Sequence, residues 1–480
     1  MTEAAEPARS RGSLTTPKIV FIVVAMAAPL AAVVGTVPLG FILGNGAGLP
    51  VAFALAALSL LLFAFGYAAM ARRVVNTGAF YTYVAQGMGK SPAVAAGLVA
   101  VIAYNAQTIG IIGGFAYFTQ LGLGVPWWIA GIVGVVIVGM LGYRSVDISA
   151  KVLAVLMVAE MALLALFDIA ILVRIGLPAL PLSSWSPATF TPGLAAAMLL
   201  AFSTFVGFES AALFGEETRD PARSIPIATY TSVLLIGGMY CLTAWLAVGA
   251  GAIGHLAHTP KADYGNLFFD LMTEYVGSWA STLMGLMVLT SLLAATLATH
   301  NAASRYMFAL GREGVLPRRL GALHRTHLSP YVASLTQTTL TMAVLVAFAL
   351  ARLDPYLNLA ASMIALGTLG IVAMQAAAAV SVPLYFHRNG GGQWFRTTLA
   401  PLVGAFALAT AVVLTATHYS TLTSTSSPII NALPWLYVAA IIGGLVYARR
   451  LQVTRPEVYE GIAQSSPYEI DHLTADSLKS

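Results

Sequence analysis

Of the 480 residues, 58% are hydrophobic and only 9% are charged, against about 25% charged in ordinary soluble domains. So few charges cannot cover a water-facing surface, which makes the bilayer the solvent. The net charge of +5 and the pI near 9.2 do not point to nucleic acid, because the basic residues lie in loops flanking apolar runs.

Lipid offers backbone groups no hydrogen-bond partners, so only helices or closed barrels can cross it. The apolar runs here are long and lack the alternation of a barrel strand, and each is near the ~20 residues that a helical crossing needs. The expectation is an all-α polytopic membrane protein of about 12 transmembrane helices. Spans 1 to 6 are read at about 18–44, 49–71, 92–120, 125–142, 149–174 and 192–214. Spans 7 to 12 follow at about 226–252, 277–301, 330–351, 357–386, 397–418 and 429–448. Residues 1–17 form an N-terminal tail, 18–450 the membrane domain and 451–480 a polar C-terminal tail. The run after Lys18 resembles a signal peptide, but it continues to about Gly44 and is read as an uncleaved first span. All but Arg174, Lys261 and Arg352 of the 24 Lys and Arg residues fall on one side. That bias places both termini in the cytoplasm, as expected for a cytoplasmic membrane protein. The lone cysteine, Cys241, excludes an intrachain disulfide.

Span 1 contains Gly35 and Pro38, which are expected to interrupt its hydrogen-bond ladder. Span 6 contains Gly207 beside Glu209. These are the first spans of two five-span halves, and interrupted spans in corresponding halves point to a transporter's repeat and midplane site. In span 3, Tyr104, Asn105 and Gln107 either line a cavity or hold helices together. Span 5 carries Glu160, which lies about 16 Å in from Ser149 at about 1.5 Å per residue and so near the midplane. Asp168, nearer the other end, is expected to snorkel to water. An ionisable group inside a span marks a functional site by default. Glu209 either meets a bound ammonium or acts as a neutral acid holding the broken backbone of span 1; the two roles are compatible. Glu216, Glu217, Arg219, Asp220 and Arg223 are either a solvated charge run or an inner gate made of ion pairs. In span 8, Thr296, Thr299 and Asn301 are candidates for a cation site or for packing, and His300 reads as structural.

Three stretches resemble the amino acid–polyamine–organocation permeases: NTGAFYTYVAQGMG (Asn76 to Gly89), GFESAALFGEETRDPARSIPIA (Gly207 to Ala228) and SRYMFALGREGVLP (Ser304 to Pro317). The resemblance implies a five-plus-five inverted repeat at about 18–174 and 192–386, with broken helices 1 and 6 and two extra helices at about 397–448. It also implies secondary active transport or exchange of amino acids or related amines, with no cofactor and no metal. It places the substrate against Val34, Gly35, Thr36 and Val37 of span 1, against Phe202, Ser203, Phe205, Gly207 and Glu209 of span 6, and against Tyr104 and Asn105 of span 3. The family's Gly-Ser/Thr-Gly run, whose N–H groups hold a carboxylate, aligns with Gly35, Thr36 and Val37. Pro38 after it has no N–H, which favours a decarboxylated amine, of polyamine or ethanolamine type. A gating Trp of some relatives aligns with Ser203, which leaves Phe202 or Phe205 as the aromatic lid. Where some proton-coupled relatives have a lysine near a vacated sodium site, this chain has Glu160, read with Glu209 as the proton-coupling group. Beyond protons and the lipid, the only partner expected is the solute. Two other classes are weaker. His258 and Asp263 in HTPKAD resemble an acyltransferase pattern without a supporting motif, and a channel has no need of a broken-helix site.

Overall fold

A computed structural model describes residues 15–74, 79–144, 150–189, 193–209, 218–327, 329–423 and 425–463. Among them there is no β-strand, and ten helices are long and apolar enough to cross a membrane. In chain order they are Thr16–Leu43, Gly46–Ala71, Lys90–Leu123, Ala154–Ile175, Ala222–Gly249, Ser278–Arg312, Tyr331–Leu350, Pro355–Asn389, Trp394–Thr417 and Trp435–Thr454. Two shorter apolar helices, Trp127–Tyr143 and Leu194–Thr204, stand where spans 4 and 6 were read. The protein is an all-α polytopic membrane protein. Spans 1, 2, 3 and 4 of the first half pack against spans 6, 7, 8 and 9 of the second, each against its counterpart. The end bearing Arg72, Arg144, Arg219, Arg312 and Arg388 is called the basic end here, and the opposite end the far end.

Span 1 is broken, but not where its sequence suggests. Its first half-helix is Thr16–Met26 and its second Pro29–Leu43; between them Ala28 takes a left-handed conformation, φ 47° and ψ 64°. Gly35 and Pro38 lie inside the second half-helix, whose ladder Pro38 weakens without ending. The break comes instead from Ala27-Ala28-Pro29. A residue before proline is steered away from the right-handed region, while proline at a first helical position loses no bond it would otherwise make. Span 6 unwinds where expected: its helix ends at Thr204, and Gly207 has φ +117°. A Cβ at Gly207 would lie 3.1 Å from the Met26 carbonyl carbon and oxygen, so the two breaks touch.

Spans 3 and 10 cross at small residues, as close-packed membrane helices do. A Cβ at Gly110 would fall 2.6 Å from the Ile364 backbone nitrogen, and one at Gly113 3.3 Å from that of Ala360. At the basic end, residues after span 12 turn back through the short helix Pro456–Glu460. Ile462 and Ala463 pack on Tyr81, Val84, Val94, Leu310 and Val315. The Ala463 N–H donates to Glu313 Oε1 at 3.2 Å, Tyr81 donates to the other oxygen, and Lys90 pairs with Glu460. Residues 464–480 of the expected tail lie outside the described residues.

The crossing of spans 3 and 10 gives a test. Gly110→Ala forces a methyl onto backbone atoms that have nowhere to go, an overpacking cost of about 1–3 kcal/mol. Thermal unfolding in detergent should show a lower Tm, whereas Gly122→Ala, which meets nothing within 4 Å, should not.

Candidate functional site

Beside the two breaks lies a cavity of about 70 Å³, enough for several waters or the head of a small solute. Met26, Ala27, Ala28, Ala31, Ala32, Gly35, Thr36 and Leu39 of span 1 line one wall. Ser203, Thr204 and Val206 come from span 6; Gln107, Ile111, Gly114 and Phe118 from span 3. Leu292, Ala295 and Thr299 of span 8 and Tyr356, Ala360 and Ile364 of span 10 complete it. Among the described residues, no charged side chain lines the cavity. Its electrostatics come from backbone ends: two half-helices, Thr16–Met26 and Leu194–Thr204, finish at it. A helix C-terminus carries roughly half a negative charge, so the pair can receive one ammonium.

The span 1 half-helix that starts there, Pro29–Leu43, is a poor anion cradle. Pro29 has no N–H, and the Leu30 N–H donates to Glu160 Oε2 at 3.2 Å. Glu160 is buried at 5% exposure, so the half-helix N-terminus already faces a carboxyl group. Tyr240 of span 7 and Ser291 of span 8 lie beside it. Glu160, on span 5, thus faces spans 1, 7 and 8 at the break, one layer behind the cavity wall.

Glu209 also sits behind the wall rather than in it. Its Oε2 accepts from the Gly207 N–H at 3.0 Å and its Oε1 from the Tyr104 hydroxyl at 2.8 Å. Tyr67 donates to the Glu209 carbonyl at 2.7 Å, and Tyr306 of span 8 stacks on Tyr104 with centroids 5.3 Å apart. The carboxyl therefore fixes the span 6 break, not the broken backbone of span 1, and floors the cavity toward the basic end.

Of the other sequence candidates, Gly35, Thr36, Ser203 and Gln107 line the cavity. Val34 and Val37 are fully buried away from it, because the break lies about two turns earlier than expected and the helix there turns them into the core. Phe202 and Phe205 are buried in the core and form no lid; Phe118 and Tyr356 face the cavity instead. Asn105 donates to the Val101 carbonyl at 2.7 Å within its own helix. Thr299 reaches the cavity, yet it and Thr296 bond to carbonyls of their own helix. His300 is buried between Gln337 and Ser334 of span 9. Asp168 does not snorkel: it is 5% exposed and accepts from Thr243 of span 7 at 2.9 Å. Its partner lies in a different span, which its own sequence neighbourhood could not reveal. Glu216 and Glu217 lie outside the described residues; Arg219 and Arg223 are exposed at the basic end. His258 is exposed, and no hydrogen bond among the described residues joins it to Asp263.

The fold and site define a helical membrane protein organised around a central cavity between two interrupted spans. The amino acid permease family matches over residues 14–448, and the chain belongs to that family. It is 25% identical over 314 residues to the branched-chain amino acid permease of Bacillus subtilis, covering 60% of this chain and 65% of that protein. It is 28% identical over 280 residues to the low-affinity putrescine importer of Escherichia coli, covering 56% and 60%. It is 25% identical over 369 residues to cationic amino acid transporter 6, chloroplastic, of Arabidopsis thaliana, covering 70% and 60%. Each match therefore spans less than two thirds of the relative's own length.

The floor can be tested directly. Tyr104→Phe removes one of the two donors to Glu209 in a buried setting, a loss of about 1–3 kcal/mol. The variant should unfold at lower temperature than the parent, and Glu209→Gln combined with it should add less than its separate effect, since the two share one contact.

Proposed function

We propose that the chain is a secondary active transporter of small amine-bearing solutes, with the cavity as its substrate site. The observation that carries this is the meeting of two helix C-termini at a cavity that no charged side chain among the described residues lines. One ammonium finds two carbonyl ends there; a second would be buried without a partner, at a cost of several kcal/mol. The Pro29 and Leu30 positions weaken carboxylate binding without abolishing it. Leu39, Ile111, Leu292 and Ile364 offer an apolar wall for a short aliphatic chain. The substrate is therefore an aliphatic amino acid or monoamine in preference to a diamine. The named activities of the relatives, branched-chain amino acid permease and putrescine importer, fall on either side of this choice. Arg219 and Arg223, at the basic end of spans 6 and 7, keep the inner-gate role as part of this proposal.

The charge bias places the basic end and both termini in the cytoplasm. A single cysteine in place of Leu323, between spans 8 and 9, should react with an impermeant reagent only from the cytoplasmic side; reaction from outside would invert the topology.

Glu160 is the coupling group in this reading. When charged, it is held by the half-helix N-terminus; when protonated, that attraction goes and the contact between spans 1 and 5 loosens. Loading and unloading one proton thus biases the packing at the substrate site, as acidic groups do in pumps and transporters. In proteoliposomes, a pH gradient should drive accumulation of an aliphatic amino acid or monoamine, and putrescine should compete poorly. Glu160→Gln should abolish accumulation while leaving exchange at equal concentrations. A Gln variant that still concentrates the solute would make Glu160 structural and move coupling to Glu209.

A further inference from the structure

The far end of the cavity is closed by rings from spans 3 and 10. Tyr356 lies in the irregular turn Pro355–Ala360 that opens span 10, where Asp354 accepts from the Tyr356 and Leu357 N–H groups at 2.8 and 2.7 Å. Its ring stacks on Tyr117 of span 3, with centroids 4.5 Å apart and planes 7° from parallel. Phe118 meets it edge-on at 5.9 Å and 68°. The Tyr356 hydroxyl donates to the Gly35 carbonyl of span 1 at 2.9 Å.

That acceptor follows from the sequence. Pro38 has no N–H for the Val34 carbonyl four residues back and crowds that turn, and the neighbouring Gly35, with no side chain over its own carbonyl, leaves a lone pair there open to a donor from another helix. Gly35 and Pro38 are thus not the break in span 1 but a receptive turn on its second half-helix. A second tie runs outward. Tyr117 donates to the Ala262 carbonyl at 2.8 Å and accepts from the Gly265 N–H at 3.1 Å. The turn Lys261–Asn266, between spans 7 and 8, is therefore hung on the same pair of rings. A Cβ at Gly265 would lie 2.4 Å from the Tyr117 ring, so only glycine lets this turn seat so closely. Tyr356, Tyr117 and Phe118 are 2%, 3% and 4% exposed, which seals the cavity on this side.

We propose that Tyr356 is the far-end gate of the transport cavity, caught by the Gly35 carbonyl and stacked on Tyr117, which couples it to the turn between spans 7 and 8. The proposal deepens the functional reading above and rests on the cavity being the substrate site. A solute arriving from the far end has to part these rings. Among the described residues, one neutral hydrogen bond, one stacked pair and the edge-on Phe118 hold the Tyr356 ring shut, few enough to break in every cycle. The gate also joins span 1, whose second half-helix starts at Glu160, to spans 3 and 10, so movement at the break reaches it through about two turns of helix.

The test uses the full-length protein with Cys241→Ser and a single reporter, Thr36→Cys, in oriented proteoliposomes. An impermeant thiol reagent is added from each side in turn. Tyr356→Phe keeps the stack and removes the catch, so labelling from the far end should rise about threefold to tenfold, the worth of one neutral hydrogen bond. Labelling from the basic end should stay level or fall. Should Tyr356→Phe fold poorly, Tyr117→Phe, which keeps the rings and frees the turn, should raise far-end labelling in the same direction. Unchanged far-end labelling in a folded variant overturns the gate, and so does an equal rise from both ends, which means general loosening. Protection of Thr36→Cys by the transported solute is measured separately. If protection fails while Tyr356→Phe still opens the far end, the gate stands and the substrate site lies elsewhere.

Discussion

A backbone group in lipid has no solvent to turn to, so a membrane helix can break only where protein groups take over its lost bonds. Most of this site follows from that constraint. The two breaks are pressed together at Gly207 and Met26. Glu160 takes the N–H of Leu30, Glu209 takes that of Gly207, and Tyr67 supplies the Glu209 carbonyl with a donor. Both buried carboxyls thus serve the backbone first. Among the described residues, the cavity between them is left with helix ends as its strong electrostatic features, and the proposed choice of solute rests on this.

The magnitudes explain why acids can be kept here. An acidic or basic residue at the centre of a membrane helix costs about 2.5–3.5 kcal/mol on insertion scales. A hydrogen bond to a charged group returns about 1.5–3 kcal/mol. Glu209, with two donors, comes out near balance or better; Glu160, with one N–H on its carboxyl, sits closer to the edge. The same comparison fits the proposal in which Glu209 belongs to the scaffold and Glu160 to the moving part.

The spans were legible because a crossing needs a fixed length of apolar chain, and that length is written locally. The span 6 break was legible for a similar reason, since a glycine beside an acid in an apolar run has few other uses. The span 1 break was misplaced by seven residues or more, because Gly35 and Pro38 look like stronger breakers than Ala27-Ala28-Pro29. What decides the matter is a partner for the freed N–H, and Glu160 is 130 positions away from Leu30. The same limit hid the role of Asp168, whose partner Thr243 lies two spans later, and the ring pair Tyr117–Tyr356, which meets only because glycines let spans 3 and 10 cross closely. Local composition says where a helix can break; the rest of the fold says where it does.

The segment 456–463 lies beyond the family match, which ends at residue 448. Yet its Ala463 N–H serves Glu313, and its side chains cover Tyr81 and Leu310 on two of the stretches that mark the family. The end of the family match is therefore not the end of the packed structure. A chain cut back to the conserved core would keep every residue of the cavity and still uncover an oily face beside a carboxyl group stripped of a donor.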